Sequence, residues 1–187
     1  MASSSTHGRL TLETERLRLT ALTAEGLRAW IDKDAERLEG ETGVRFSVPV
    51  QAPPLLDDDL LHFHERMVAA PDDLGWWVWV VSIREDRRAV GACGLGGRPH
   101  TGTVAIGYSI YPRFEGRGFA TEASGALVAG ALGQPEVRIV QATVPTWHGA
   151  SIAVARKLGM QEMGHERDPD VGEVAIYEIV KDEAPPA

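Results

Sequence analysis

The chain reads as one α/β domain built on a mixed, largely antiparallel sheet, and three observations lead there. Apolar residues recur with a period of two in some stretches and of about 3.6 in others, and the two kinds alternate. Short β-type runs fold back through tight polar turns, as at Glu85-Asp86-Arg87-Arg88. The length of 187 residues, with 43% hydrophobic and 25% charged side chains, suits a single well-buried core. The domain is expected to span 9–181, with 1–8 and 182–187 as disordered tails.

Along the chain, residues 9–20 alternate Leu10, Leu12, Leu17 and Leu19, the pattern of a half-buried strand. Thr23 is placed to cap the helix that follows, in which Leu27, Trp30, Ile31 and Leu38 share one apolar face. Residues 40–54 carry glycine and turn signals and read as a loop. Asp57, Asp58 and Asp59 set carboxylates at the positive end of a second helix. Its expected buried side is Leu60, Leu61, His64, Met67 and Val68, and Pro71 closes it. Residues 76–84 and 89–96 pair as a hairpin, with Trp77 and Trp79 on its core face and Trp76 on the other. A strand over 104–111, a glycine turn, a helix over 120–132 and a strand over 139–144 come next. A helix over 149–158 and a strand pair at 161–166 and 174–180 complete the domain, without internal repeats or low-complexity linkers.

The most informative stretch is Arg113-Phe114-Glu115-Gly116-Arg117-Gly118-Phe119-Ala120-Thr121-Glu122, between a strand and a helix. Glycine at 116 and 118 lets the chain turn tightly and leaves backbone N–H groups bare. Such donors at a helix N-terminus, with the positive end of the dipole behind them, favour an anion. A Walker loop would need Gly-Lys-Ser/Thr, and a dinucleotide turn a third glycine three residues on. Here Gly118 is followed by Phe119, Ala120 and Thr121, so neither applies.

This stretch resembles the Arg/Gln-x-x-Gly-x-Gly/Ala signature of the GNAT acetyltransferase superfamily. Val104-Ala105-Ile106-Gly107-Tyr108-Ser109-Ile110-Tyr111-Pro112 resembles the family's fourth strand, and Glu122-Ala123 with Leu127 and Leu132 its cofactor helix. His148-Gly149-Ala150-Ser151 leading to Lys157-Leu158-Gly159-Met160 resembles its Asn-x-Ala-Ser and Lys-Leu-Gly-Phe landmarks. Thr14-Glu15-Arg16-Leu17-Arg18-Leu19 matches the opening strand of the Rim-type branch, whose members acetylate ribosomal protein N-termini. The resemblance runs from about Leu10 to about Val180 in the family's order.

The resemblance implies a sheet of six to seven strands, splayed between the fourth and fifth and flanked by about four helices. It implies acetyl-CoA as co-substrate and an amine as acceptor, either a protein N-terminal α-amino group or a small molecule. Ser109, Ile110 and Tyr111 would lie along the pantetheine arm, and Arg113, Gly116, Arg117, Gly118, Phe119, Ala120 and Thr121 around the pyrophosphate. Arg156, with Lys157, is a candidate for the adenosine phosphates or for a solvated face. The family's proton-donating tyrosine falls on Ala155; Ser151 occupies the place of the serine proposed for that role in the Rim-type branch, or else caps its helix. Tyr108 and Tyr111 are further donors in reach. A glutamate common in the fourth strand is Ala105 here, which leaves His148, Glu41 and His64 as candidate bases, or bulk water as proton sink. His148 and Ser151 are also expected beside the cofactor.

The formal charge of −8 and pI near 5.2 argue against nucleic-acid binding and suit a cationic substrate. A lone cysteine, Cys93, forms no internal disulfide and reads as a buried small residue in a reducing, cytoplasmic setting. No run suits a membrane span or a signal peptide, and His62 and His64, two apart on a helix, do not share a metal. Relatives are often dimers, and the closing strands are available to pair across a two-fold axis. Two readings compete with the enzyme. One is a non-catalytic acyl-CoA-binding module that lacks the glutamate and tyrosine; the other is a plain interaction domain.

Overall fold

The strand expected over 9–20 breaks in two in the computed structural model, which describes residues 8–54, 56 and 59–181. β1 (Thr11–Glu13) and β2 (Leu17–Ala21) form an antiparallel pair because Thr14 turns the chain. Its N–H donates to the Leu17 carbonyl at 2.9 Å, and its Oγ1 accepts the Leu17 N–H at 2.9 Å. The first helix also divides. Thr23 Oγ1 accepts the Gly26 N–H at 3.1 Å and starts α1 (Ala24–Ile31). Lys33 then enters the left-handed region at φ 56°, and Asp34 caps a new helix, α2 (Ala35–Thr42), by accepting the Arg37 N–H at 3.0 Å. The loop expected from residue 40 thus begins after Thr42.

α3 (Leu60–Ala69) buries Leu60 and Met67 and partly buries Phe63, a stripe spaced for one face. Leu61 and Val68, expected inside, sit about 100° further round and are 55% and 60% exposed. Asp59 holds the N-cap position without a side-chain cap bond, while Asp57 and Asp58 lie outside the described residues, as do 1–7 and 182–187.

The remaining strands are β3 (Val78–Ile83), β4 (Ala89–Leu95), β5 (Thr103–Ile110), β6 (Ile139–Pro145), β7 (Gln161–Asp168) and β8 (Gly172–Val180). α4 (Phe119–Leu132) joins β5 to β6, and α5 (Gly149–Lys157) follows β6. One eight-stranded sheet has the order β1-β2-β3-β4-β5-β6-β8-β7, antiparallel throughout except for β5 against β6. Among the described residues, eight strands and five α-helices exceed the expected six to seven and four, largely because Thr14 and Lys33 split the first strand and first helix.

Each face carries a core. Leu17, Val81, Ile106, Phe119, Leu127 and Val140 pack beneath α4 and α5. Leu27, Trp30, Leu38, Met67, Val80 and Ala92 pack beneath α1–α3. Trp76 was expected on the face opposite Trp79, yet both belong to the first core. β3 begins only at Val78, so strand alternation does not govern Trp76, which lies under the Arg98 guanidinium at 5.1 Å. Trp77 instead reaches α3, with its ring 6.1 Å from that of Phe63.

The functional feature is where the sheet fails. β5 and β6 pair only at Thr103–Ile139, Val104–Val140 and Ala105–Gln141, and beyond that register they part. This is the splay expected between the fourth and fifth strands, displaced by one in number by the division at Thr14.

Candidate active site

A cavity of about 730 Å³ occupies the splay and passes through the sheet. Ile106, Phe119 and Val154 line it on the α4–α5 side; Phe63, Val78 and Ala92 line it on the other. Its wall along β5 is backbone. The Gly96 N–H donates to the Ala105 carbonyl at 2.9 Å, and the Tyr111 N–H donates to the Val90 carbonyl at 2.9 Å. Odd-numbered residues therefore spend their backbone groups on β4, and alternation turns those of Ile106, Tyr108 and Ile110 toward the gap. Of the three residues expected along the arm, only Ile110 offers its amide this way. Ser109 also lines the slot, its Oγ donating to the Pro54 carbonyl, whereas Tyr111 does not line it and its Oη donates to the Gln51 carbonyl.

At one end of the slot lies the glycine turn. Gly116 and Gly118 adopt φ 73° and 79°, which L side chains rarely take, and Gly118 is the N-cap of α4 with no side-chain cap. Among the described residues, none of the six amides from 116 to 121 meets a protein acceptor; the first amide of the helix to do so is Glu122, on the Gly118 carbonyl at 3.0 Å. Gly116, Gly118, Phe119, Ala120 and Thr121 line the slot. Arg113 and Arg117 do not: Arg113 donates to Ser47 Oγ and lies over the Phe114 ring at 4.8 Å, with Arg117 over the same ring at 5.5 Å. Arg156 also points away and meets Glu162 at 3.7 Å, whereas its neighbour Lys157 lines the slot.

Ser151 and Tyr108 meet across the slot. Ser151 Oγ donates to Tyr108 Oη at 3.1 Å, and Tyr108 Oη donates to the Ser151 carbonyl at 3.0 Å. Burial raises the Tyr108 pKa above the ordinary phenol value, with the Ser151 hydrogen bond opposing that rise, so the phenol keeps its proton near neutrality. His148 is the N-cap of α5: its Nδ1 accepts the Ser151 N–H at 3.2 Å. With Nδ1 so engaged, the neutral ring carries its hydrogen on Nε2 and is a donor. His148 lines the slot as expected and also caps α5, a role that a histidine letter does not advertise. Ala155, at the place of the family's tyrosine, is fully buried in the core, and Ala105, at the place of its glutamate, lines the slot. Cys93 also borders it, with burial pushing the thiol up to about 12, and stays protonated.

Of the other candidate bases, Glu41 lies at a separate cavity of about 230 Å³ with Arg9, and His64 does not line the slot. Sequence reasoning gave Asp59, Phe63 and Thr143 no part in the site, yet all three line it. They follow helix and strand patterns in the letters, and only the fold turns them inward. Among the described residues no group of three metal-ligating side chains occurs, and no helix is long and apolar enough to cross a membrane.

A family model described as an acetyltransferase (GNAT) domain matches residues 16–161. The chain belongs to the GNAT acetyltransferase family. Among solved structures it resembles RimL, a ribosomal L7/L12 α-N-protein acetyltransferase in complex with coenzyme A, at 16% identity over 91% of this chain and 97% of that one, TM-score 0.65. A ribosomal-protein-S5-alanine acetyltransferase from Vibrio fischeri matches at 14% identity over 95% and 100%, TM-score 0.64. A spermidine N-acetyltransferase, SpeG, from Vibrio cholerae matches at 16% over 90% and 95%, TM-score 0.62. At these identities the structures speak for the fold. The GNAT assignment makes the protein an N-acetyltransferase by family.

Proposed function

We propose that the protein transfers the acetyl group of acetyl-CoA to an amine by direct attack within a ternary complex. The observation that carries this reading is one slot through the sheet, with bare amides at one mouth and a separate approach under α3. Acetyl-CoA fits the residues present: the amides of 116–121 suit its diphosphate, and the free backbone of Tyr108 and Ile110 suits the pantetheine amides. When bound, it supplies an activated acyl carbon. Lys157 also lines the slot and is the candidate cation for a phosphate.

The amine enters from the α3 side, past Pro54, Leu56 and Phe63, with the Asp59 carboxylate beside it. An ammonium must shed a proton before it attacks; Asp59, Glu115 and His148 line the slot, and bulk water is the further sink. The departing thiolate takes its proton from the Ser151–Tyr108 hydroxyl pair, in which Ser151 Oγ donates to Tyr108 Oη, and the pair recovers that proton from water. The acceptor is a protein N-terminal α-amino group or a small amine, the two classes that the neighbours' names span.

Release of free thiol from acetyl-CoA, measured across N-terminal peptides and small amines, tests the reading. Acceptor-dependent release with an acetylated product identified by mass spectrometry is expected. Tight coenzyme A binding with no turnover on any amine would favour a binding module, a reading to which Ala105 and Ala155 lend support.

A further inference from the structure

The amides of 116–121 meet no protein acceptor among the described residues, so the turn that carries them needs support from elsewhere in the fold. That support comes from the β1–β2 turn, about a hundred residues earlier in the chain. Arg16 Nη1 donates to the Arg117 carbonyl at 3.1 Å, and its guanidinium lies over the Phe119 ring at 4.9 Å. Glu122, in the first turn of α4, grips the same guanidinium through Nε at 2.7 Å and Nη2 at 2.6 Å. The Glu122 carboxylate also accepts the Arg16 N–H at 2.9 Å and the Thr14 hydroxyl at 2.5 Å. The Arg16 carbonyl in turn accepts the Arg84 N–H at 2.9 Å, which anchors the turn to the sheet.

A trans peptide aims its C=O and N–H in opposite directions. Arg16 holds the Arg117 carbonyl, and neither residue lines the slot, whereas Gly118 does. Fixing that carbonyl at the back therefore fixes the Gly118 N–H toward the slot. We infer that Thr14, Arg16 and Glu122 form a clamp that positions the 117–118 peptide, and with it the diphosphate cradle. They are positioning residues for the donor, acting from behind the cradle without touching the diphosphate. The inference rests on the acetyl-CoA reading proposed above.

The test compares the wild-type protein with Arg16→Ala, Arg16→Lys and Glu122→Gln. Arg18→Ala serves as a control that removes a similar surface ion pair, Arg18 with Glu13. Two acetyl donors are used, acetyl-CoA and S-acetylpantetheine, the second of which lacks the diphosphate. The clamp variants should bind acetyl-CoA about tenfold more weakly and raise its KM to match. The kcat, the KM for the amine and the KM for S-acetylpantetheine should stay within about twofold. Arg16→Lys keeps the charge without the fork, so it should fall with Arg16→Ala. Unchanged acetyl-CoA affinity in folded Arg16→Lys and Glu122→Gln would overturn the clamp. Equal losses with both donors would overturn it too, since a general loosening of the fold does not distinguish them. A wild-type protein that fails to bind acetyl-CoA would instead sink the transferase reading, leaving the two failures distinct.

Discussion

Gly116 offers a way to place a charge in the cradle with little damage to the fold. A Cβ built at Gly116 meets nothing within 4 Å, so space is no obstacle. The backbone is: φ there is 73°, and an L residue in that region costs about 1–2 kcal/mol, with Asn and Asp at the low end. Gly116→Asn and Gly116→Asp should therefore share a similar stability loss, a fall in melting temperature of about 2–8 °C for a chain of this size. They differ in charge alone. Two unit charges about 4 Å apart interact by about 4 kcal/mol at an effective dielectric near 20. Gly116 is exposed, so solvent reduces that figure. A net penalty of about 1.5–3 kcal/mol, comparable with one charge-assisted phosphate bond, corresponds to about 10- to 150-fold in affinity.

Isothermal titration of acetyl-CoA into the wild-type, Asn and Asp proteins isolates the effect. The Asp protein should bind at least tenfold more weakly than the Asn protein at low salt, and the gap should narrow in about 0.5 M salt as screening shortens its reach. An Asp protein that binds within threefold of the Asn protein at low salt would remove the diphosphate from this turn.

The remaining expectations use other parts of the slot. Ser151→Ala should lower kcat by about 10²–10⁴ without weakening acetyl-CoA binding, and Tyr108→Phe should lower it less; a full-speed Ser151→Ala enzyme would leave Ser151 as packing. Lys157→Ala should weaken acetyl-CoA binding several-fold while Arg156→Ala leaves it within twofold, because only Lys157 lines the slot; the reverse order in titration would misplace the adenosine phosphates. Burial works against ionisation of Glu122, but hydrogen bonds from Thr14 and Arg16 and the Arg16 charge outweigh it and hold the carboxyl below the ordinary value. A depressed folded pKa contributes stability that is full above the unfolded value, near 4.5, and is lost as pH falls through the folded one. Acid titration of melting temperature should thus show a smaller drop below pH 4.5 for Glu122→Gln than for wild type; equal drops would remove the carboxylate from the balance.

What the letters disclose follows from what kind of group does the work. The phosphate turn is legible because left-handed backbone selects glycine, and Gly116 and Gly118 stand out in any reading. β5 declares itself through its alternation, and α4 through a long apolar run that opens at the glycine turn. The division at Thr14 leaves one trace, since Leu12 and Leu17, five apart, would fall on opposite faces of a continuous strand. Asp34 was readable in principle, being a good capping residue between two helical patterns. His148 as a cap, and Glu122 paired with Arg16 across 106 residues, were not, because no local rule links them. Arg113 and Arg156 carry the right charge for a phosphate, but charge in a sequence has no direction, and the fold turns both elsewhere.

The same division explains how a chain with Ala105 and Ala155 in place of the usual acid and base retains a transferase site. Holding a donor and an acceptor in line converts a bimolecular attack into a unimolecular one, worth about 7–11 kcal/mol when alignment is good. General acid–base assistance adds about 10²–10⁴-fold, roughly 3–5 kcal/mol. The larger share here falls to backbone: the open edge of β5 at Tyr108 and Ile110, the amides of 116–121, and the sheet opening that lets both reactants meet. None of these depends on which side chains stand at 105 and 155. The smaller share needs one hydroxyl near the sulfur, a role we propose for the Ser151–Tyr108 pair, drawn from α5 and β5. Substitution at the usual catalytic letters therefore shifts the rate, while closing the splay, for instance by extending the β5–β6 register past Ala105–Gln141, would end the reaction.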